Sequence, residues 1–302
     1  FMPWWRHLTW DAKHHWISPS LMNQPVQLER YCRQLTKNSS QSILTSLVPT
    51  QLKSLINDPS GLKWLQSLSL IWVGGSSIPA DIAEKARDQS INLAPCYGAT
   101  ETAAMVTALS PQDFLTGNNS VGSPLEDIEI NINQSNLLKV KTSRLAISKW
   151  KNDQFESITN SKGWWEAGDL AEYLNIKNKQ SLRILGRRDS AINSGGETVF
   201  PEELQLQLMD IIIKNKVQVE EVFFLGTDDE KWGQRIAALI RFKEKETNKL
   251  EIISFINHLI SHWEPAKKPS NWYDCPKLVR NTNEKWEIEK WRNWLISRDP
   301  IG

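Results

Sequence analysis

Leu68-Ser69-Leu70-Ile71-Trp72-Val73 runs directly into Gly74-Gly75-Ser76-Ser77. Pro79 then opens Ala80 to Gln89, and Ile91-Asn92-Leu93-Ala94 leads into Cys96-Tyr97-Gly98-Ala99-Thr100-Glu101-Thr102. The first run is β-rich and ends at glycines, which predicts a strand closing into a turn. Pro79 suits the first position of a helix. Ile82, Ala83 and Ala86 fall on one face of that helix, and the second short apolar run predicts another strand. Strand, glycine-rich turn, helix, strand and turn make a βαβ unit, so an α/β fold with a parallel sheet is expected. Its two turns, Gly74 to Ser77 and Tyr97 to Thr102, are expected at the carboxyl ends of neighbouring strands, where open α/β sheets bind ligands.

The second turn carries several chemical handles. Gly98 permits close approach of a ligand. Tyr97 offers a flat ring with a polar tip. Thr100 supplies a hydroxyl, and Glu101 a carboxylate suited to a hard cation such as Mg²⁺. By itself the stretch also reads as an ordinary structural turn.

Upstream, Ser42-Ile43-Leu44-Thr45-Ser46-Leu47-Val48 is β-rich and stops at Pro49, and Gln51 to Ile56 predicts a short helix. Residues 1–40 are polar and Trp-rich, without a clear period. After Gly117 the pattern changes. Asp127-Ile128-Glu129-Ile130-Asn131-Ile132 and Leu138-Lys139-Val140-Lys141 alternate apolar and polar, as antiparallel strands with one wet face do. A small β-barrel-like segment is expected from about 121 to 186.

Gly186-Arg187-Arg188-Asp189 is charged and turn-like and marks the expected domain boundary, giving domains at 1–186 and 187–302. Beyond it, Pro201 opens a helix with Leu204, Leu208, Ile211 and Ile212 on one stripe. Val219 to Leu225 and Arg235 to Phe242 predict strands, and Ile252, Ile256, Leu259, Ile260 and Trp263 another amphipathic helix. This is a small α+β unit.

Composition bounds the rest. The 302 residues exceed one typical domain. A net charge of +1 gives no footing for a nucleic-acid or membrane-surface partner. No apolar run approaches the ~18 residues of a spanning helix, and no signal peptide is expected. Cys32, Cys96 and Cys275 are widely spaced, so neither a disulfide framework nor a zinc site is expected, and the cytoplasm is the natural compartment. His258 and His262 stand four apart on a predicted helix, but no third metal ligand accompanies them. The sequence sets no oligomeric state.

Three further places carry candidate chemistry. In Gly163-Trp164-Trp165-Glu166-Ala167-Gly168-Asp169, Asp169 is read in a loop, where a carboxylate can accept two ribose hydroxyls or simply close a Gly-Asp turn. Arg187 and Asp189 precede Ile192-Asn193-Ser194-Gly195-Gly196-Glu197. Arg187 suits a ribose or phosphate by its fork of donors, though a surface salt-bridge cluster reads equally well. Lys285, in a polar loop before a C-terminal helix, is a mobile point charge of the kind that stabilises developing phosphate charge. As a lone residue it is also an ordinary surface lysine.

In this order the motifs resemble the adenylate-forming enzymes: acyl- and aryl-CoA synthetases, luciferases and peptide-synthetase adenylation domains. The matching stretches are Gly74-Gly75-Ser76, Tyr97-Gly98-Ala99-Thr100-Glu101, Gly163-Trp164 to Gly168-Asp169, Gly186-Arg187-Arg188-Asp189 to Gly195-Gly196-Glu197 with Pro201 and Glu203, and Val222 to Asp229 with Trp232-Gly233-Gln234. Within that family the chain is most similar to the o-succinylbenzoate–CoA ligase branch of menaquinone and phylloquinone synthesis. Ser46 to Leu52 and Ala94 to Val121 carry this likeness.

The resemblance implies an incomplete large α/β domain followed by a small mobile one. It implies a two-step reaction with ATP, Mg²⁺, a carboxylic acid and coenzyme A, passing through an acyl-adenylate. Gly74, Gly75 and Ser76 would line the adenine and acyl pocket. Tyr97 would stack on adenine beside Gly98, Thr100 would contact phosphate, and Glu101 would hold Mg²⁺. Asp169 would take the ribose hydroxyls with Arg187 assisting, and Asp189 would be the hinge. Gly195, Gly196 and Glu197 would lie near the pantetheine channel, and Lys285 would be the adenylation lysine.

The chain departs from the family pattern in three ways. Ala167 stands where a threonine is usual, and Glu284-Lys285 where Gly-Lys is usual. No Ser/Thr/Gly-rich loop ending in Pro-Lys occurs in the chain. With Phe1 as first residue, that absence leads us to expect that much of the N-terminal domain is missing and that the chain alone gives little ATP–pyrophosphate exchange. A ligase for another aryl or fatty acid, or a non-catalytic adenylate- or CoA-binding member, are the alternatives these features admit.

Overall fold

The computed structural model describes residues 8–36, 42–176, 179–243, 248–281 and 286–301. They form two compact units. One runs to Ala167 and also takes in Ala171–Ile184; the other holds Gly168–Leu170 and the residues from Leu185 onward.

The first unit is built on a five-stranded sheet of β1 (Leu44–Leu47), β2 (Leu70–Val73), β3 (Leu93–Ala99), β4 (Ala104–Ala108) and β5 (Ser123–Pro124), in that order. β1, β2 and β3 are parallel, as the βαβ reading requires. β4 and β5 join antiparallel, so the sheet is mixed. Helix α1 (Pro25–Thr36) presents Leu28 and Cys32 to the core. Helix α2 (Pro49–Ile56) starts at a proline, with the Gln51 side chain accepting the Val48 N–H at 3.1 Å. Helix α3 (Pro59–Gln66) is capped by Asp58, whose Oδ1 accepts from the Ser60 and Gly61 amides at 2.8 and 2.9 Å. Helix α4 (Ala80–Asp88) crosses from β2 to β3 and buries Ile82, Ala83 and Ala86 as expected. These side chains meet Leu47, Leu52, Leu55, Trp64, Ile71, Val73, Leu93 and Phe114 in one core. Full burial of each large aliphatic chain there contributes roughly 1.5–3 kcal/mol. Phe114 comes from a short helix, α5 (Pro111–Leu115).

The expected barrel-like segment is an open sheet. β6 (Glu129–Ile132), β7 (Leu137–Lys141), β10 (Trp165–Ile176) and β11 (Lys179–Arg187) lie in the order β11-β10-β7-β6, and no barrel closes among the described residues. A separate hairpin pairs β8 (Ser148–Lys151) with β9 (Gln154–Ser157). Val106, Leu138, Val140, Trp165, Ala167, Ala171 and Leu182 share a second core. Ala167, the departure from the family pattern, is thus a buried packing residue here.

The second unit has a sheet of β13 (Glu197–Val199), β12 (Ile192–Ser194), β15 (Gly233–Phe242) and β14 (Val219–Asp229), with β16 (Pro269–Asp274) also paired to β15. Val222-Phe223-Phe224-Leu225 is a continuous apolar run because both faces of the sheet are covered. Val222 and Phe224 meet Leu204, Leu208 and Ile212 of α6 (Pro201–Lys214) and Ile253 and Ile256 of α7 (Lys249–Leu259). Phe223 and Leu225 meet Trp291 and Leu295 of α8 (Ile288–Leu295) on the other face.

Candidate functional site

The parallel register places Val73 opposite Pro95, so Gly74 and Cys96 follow at adjacent strand ends. The Gly74 N–H is held by the Leu47 carbonyl at 3.3 Å. A β-carbon at Gly74 would come within 3.0 Å of the Cys96 sulfur and 3.3 Å of its carbonyl oxygen, so the two strand ends are close-packed. Gly75 adopts φ +93°, which favours glycine, and Ser76 is exposed beside it.

Tyr97, Gly98 and Ala99 belong to β3 itself, so the strand runs further than the apolar run predicts. Backbone pairing with β4 explains the extension: Cys96 pairs with Ala108, and Ala99 with Ala104. The register shifts between Tyr97 and Gly98, because Tyr97 faces Thr107 while Gly98 faces Met105. Val106 is the extra residue of this bulge. A β-carbon at Gly98 would lie 2.2 Å from the Ala104 carbonyl oxygen, so a side chain does not fit there. Tyr97 is half-buried against the second core of the first unit.

The turn proper is one 3-10 turn, Thr100–Thr102, followed by Ala103 at φ +56°. Buried Thr102 staples it. Its hydroxyl accepts the Ala99 N–H at 3.0 Å, and its proton serves the Ala104 or Ala99 carbonyl at 2.7 and 2.9 Å. Behind it, the Ala146 N–H holds the Glu101 carbonyl at 2.8 Å. The Thr100 hydroxyl and the Glu101 carboxylate carry no hydrogen bond or ion pair among the described residues, which leaves both free for a ligand. No group of three His, Cys, Asp or Glu side chains comes together as a metal cluster among the described residues. A single carboxylate fits Mg²⁺ that takes its remaining ligands from phosphates and water.

In the second unit, Asp169 lies within β10, not in a loop as its sequence reads. The reason is Gly168, a glycine inside the strand at φ +71°. A β-carbon there would sit 3.2 Å from the Arg187 guanidinium. Arg187 ends β11, and its Nη1 meets Asp169 Oδ1 at 3.3 Å while its Nε meets Asp189 Oδ1 at 3.2 Å. The hydrogen bond to Asp189, with the charges of both carboxylates, raises the Arg187 pKa further above its usual value. Asp169 is the sheltered partner, at 14% side-chain exposure against 66% for Asp189. The three residues expected to act at ribose and hinge therefore form one connected ion network.

Gly195 and Gly196 close the β12–β13 hairpin with φ of +60° and +89°. Two consecutive positive angles are what a type I′ turn demands. Gly195 packs under Trp232: its N–H donates to the Trp232 carbonyl at 2.9 Å, and a β-carbon would stand 2.5 Å from the indole ring. Glu197 is exposed at the start of β13. The buried Ser194 hydroxyl just before the turn has no hydrogen-bond partner among the described residues. Lys285 lies outside the described residues. Its neighbour Trp286 is fixed, with the indole N–H donating to Gln205 Oε1 at 3.0 Å and the ring stacked on Phe223 at 4.5 Å. Sequence reasoning missed Gln205 and Glu202, whose places come from tertiary packing, and read Trp232 only as part of the Trp232-Gly233-Gln234 motif. No helix of the described residues is long and apolar enough to cross a membrane.

The AMP-binding enzyme family matches residues 26–142. The 2-succinylbenzoate–CoA ligase of Escherichia coli is 30% identical over 250 residues, covering 83% of this chain and 50% of the ligase. That of Haemophilus influenzae is 31% identical over 261 residues, covering 85% and 54%. Among solved structures, o-succinylbenzoate CoA synthetase from Bacillus subtilis, in complex with its acyl-adenylate intermediate, superposes with a TM-score of 0.71 at 24% identity, over 91% of this chain and 55% of that one. A single-substitution variant of the Escherichia coli enzyme with bound OSB-AMS gives 0.61 at 28% identity, over 83% and 50%. The chain spans about half the length of these relatives. Residues 26–142 thus carry the AMP-binding enzyme match, and the chain is similar over most of its length to part of the 2-succinylbenzoate–CoA ligases.

Proposed function

We propose that the protein is an acid–CoA ligase that activates o-succinylbenzoate with ATP and transfers the acyl group to coenzyme A. The observation that carries this reading is the parallel pairing of β2 with β3, which sets the Gly74–Ser76 loop and the strand end bearing Tyr97, Thr100 and Glu101 side by side. The relatives' activity supports the substrate class.

In this reading the substrate carboxylate attacks the α-phosphorus of ATP and pyrophosphate leaves. The CoA thiolate then displaces AMP from the acyl-adenylate. Such chemistry relies on positioning and charge stabilisation. Tyr97 supplies a stacking face for adenine, and the Thr100 hydroxyl contacts phosphate. The Glu101 carboxylate would hold Mg²⁺, which neutralises phosphate charge when bound. Asp169 accepts the ribose hydroxyls and Arg187 orients it. Gly195, Gly196 and Glu197 serve the pantetheine arm, Asp189 the hinge, and Lys285 the reacting carboxylate. The division at Asp189 into a large AMP-binding part and a small mobile part, and a cytoplasmic location, belong to the same proposal.

A thioester-formation assay on the full-length protein with o-succinylbenzoate, benzoate and fatty acids tests it. Clear preference for o-succinylbenzoate is expected. Equal rates with benzoate would remove the substrate assignment, and no thioester with any acid would remove the ligase reading.

A further inference from the structure

We infer that Arg144, held by Asp127, is a positioning residue that sets the Thr100–Glu101 turn from behind. The inference rests on the nucleotide role proposed above for that turn.

The geometry is specific. Arg144 Nε donates to Asp127 Oδ2 at 2.6 Å, and Nη2 to Oδ1 at 3.4 Å. The Thr142 hydroxyl donates to the same Oδ2 at 3.1 Å, which fixes the carboxylate from a second side. With one edge of its fork so occupied, Arg144 turns the other outward. Nη1 and Nη2 both donate to the Met105 carbonyl, at 3.3 and 3.2 Å. Met105 is the residue opposite Gly98 at the bulge. Two residues beyond Arg144, the Ala146 N–H takes the Glu101 carbonyl at 2.8 Å. One short segment, 142–146, thus grips the turn at both ends, Glu101 before it closes and Met105 after.

Only arginine offers planar donors to a carboxylate and a carbonyl at once; lysine is a point charge. Burial alone would raise the Asp127 carboxyl, but the hydrogen bonds from Arg144 and Thr142 outweigh it and hold the group below the ordinary range. The pair stays ionised at neutral pH. The side chains of Thr100 and Glu101 have no protein partners of their own among the described residues, so their placement depends on backbone held in this way.

Hydrogen exchange read by mass spectrometry on the full-length protein tests the clamp without any ligand. Arg144→Gln and Asp127→Asn should each speed exchange of the Ala146 amide at least about tenfold, with β2 and α4 unchanged. Arg144→Lys should fall between these and the parent. Unchanged exchange at Ala146 in both variants overturns the inference, and Asp127→Asn keeps the test open if Arg144→Gln does not fold. Calorimetric titration supplies the functional readout. ATP affinity in Mg²⁺ should fall about tenfold in Arg144→Gln, while AMP affinity without Mg²⁺ stays within about twofold. Faster exchange with unaltered Mg²⁺–ATP affinity reduces Arg144 to a structural tie and overturns its positioning role. If the parent protein shows no Mg²⁺-dependent ATP binding, the nucleotide reading fails instead, and the exchange measurement still decides the clamp.

Discussion

The Ser190 hydroxyl donates to Glu202 Oε1 at 2.6 Å, while Glu202 Oε2 is buried with no hydrogen-bond partner among the described residues. The contact ties the loop after Arg187 to the first turn of α6. Gly186 makes it possible, since a β-carbon there would lie 2.8 Å from Oε2. A cavity of about 40 Å³ lined by Ser190, Glu202, Gln205, Trp286 and Arg292 adjoins the carboxyl, room for a water and not for a nucleotide.

Burial pushes the Glu202 carboxyl above the ordinary glutamate range, against the Ser190 hydrogen bond. A carboxyl so raised binds its proton more tightly in the folded state. Its contribution to stability is complete below the unfolded value near 4.5 and is lost as pH rises through the folded value. Glu202→Gln keeps an acceptor for Ser190 and never ionises. It should therefore gain thermal stability over the parent as pH rises from 5 to 8, with little difference at pH 5. Parallel melting profiles for the two proteins across that range would contradict the assignment.

The two glycines of the β12–β13 turn separate backbone strain from packing. Gly196→Ala places its methyl in open space, so only the positive φ opposes it, at about 1–2 kcal/mol. Gly195→Ala meets the same strain and also the Trp232 ring at 2.5 Å, which adds roughly 1–3 kcal/mol of overpacking. Urea unfolding should rank Gly195→Ala well below Gly196→Ala. Trp232→Ala in the Gly195→Ala background should recover part of the difference.

These positions also show what sequence could and could not supply. The βαβ unit at 68–102 was legible because period, glycine and proline agree there. Gly195-Gly196 was legible as a turn for the same local reason. Asp169 was misplaced in a loop because Gly168 carries a turn-like φ inside a strand, and its reason is the Arg187 guanidinium lying over it. Helix α1 went unread amid a Trp-rich stretch, although Leu28, Tyr31, Cys32 and Leu35 stand at helical spacing. The Arg144–Asp127 clamp joins residues 17 apart through a sheet, and no local pattern announces such a pair.

Gln205 is buried, and both ends of its amide are used. Nε2 donates to Glu221 Oε1 at 3.1 Å, and Oε1 accepts from the Trp286 indole at 3.0 Å. Gln205→Ala strands two partners and should cost about 1–3 kcal/mol. Trp286→Phe keeps the stacking on Phe223 and loses only the donor, at roughly 1 kcal/mol. Because the two share one hydrogen bond, the double variant should lose less than the sum of the single losses. Strict additivity in thermal or urea unfolding would show that the bond is not formed.

Glu101 yields the sharpest prediction about the proposed chemistry. Its carboxylate stands at a turn held by Thr102 and by the Ala146 amide, with no protein cation beside it among the described residues. If it serves Mg²⁺, chelation and Glu101→Gln should remove the same interaction. Calorimetry on the full-length protein should show ATP affinity falling about tenfold with EDTA, equivalent to ~1.4 kcal/mol. The Glu101→Gln protein should bind ATP as weakly with Mg²⁺ as the parent does without it, and EDTA should change it little further. AMP, lacking the outer phosphates, should bind both proteins alike. A Glu101→Gln protein that keeps the full Mg²⁺ effect would take the metal role away from this residue.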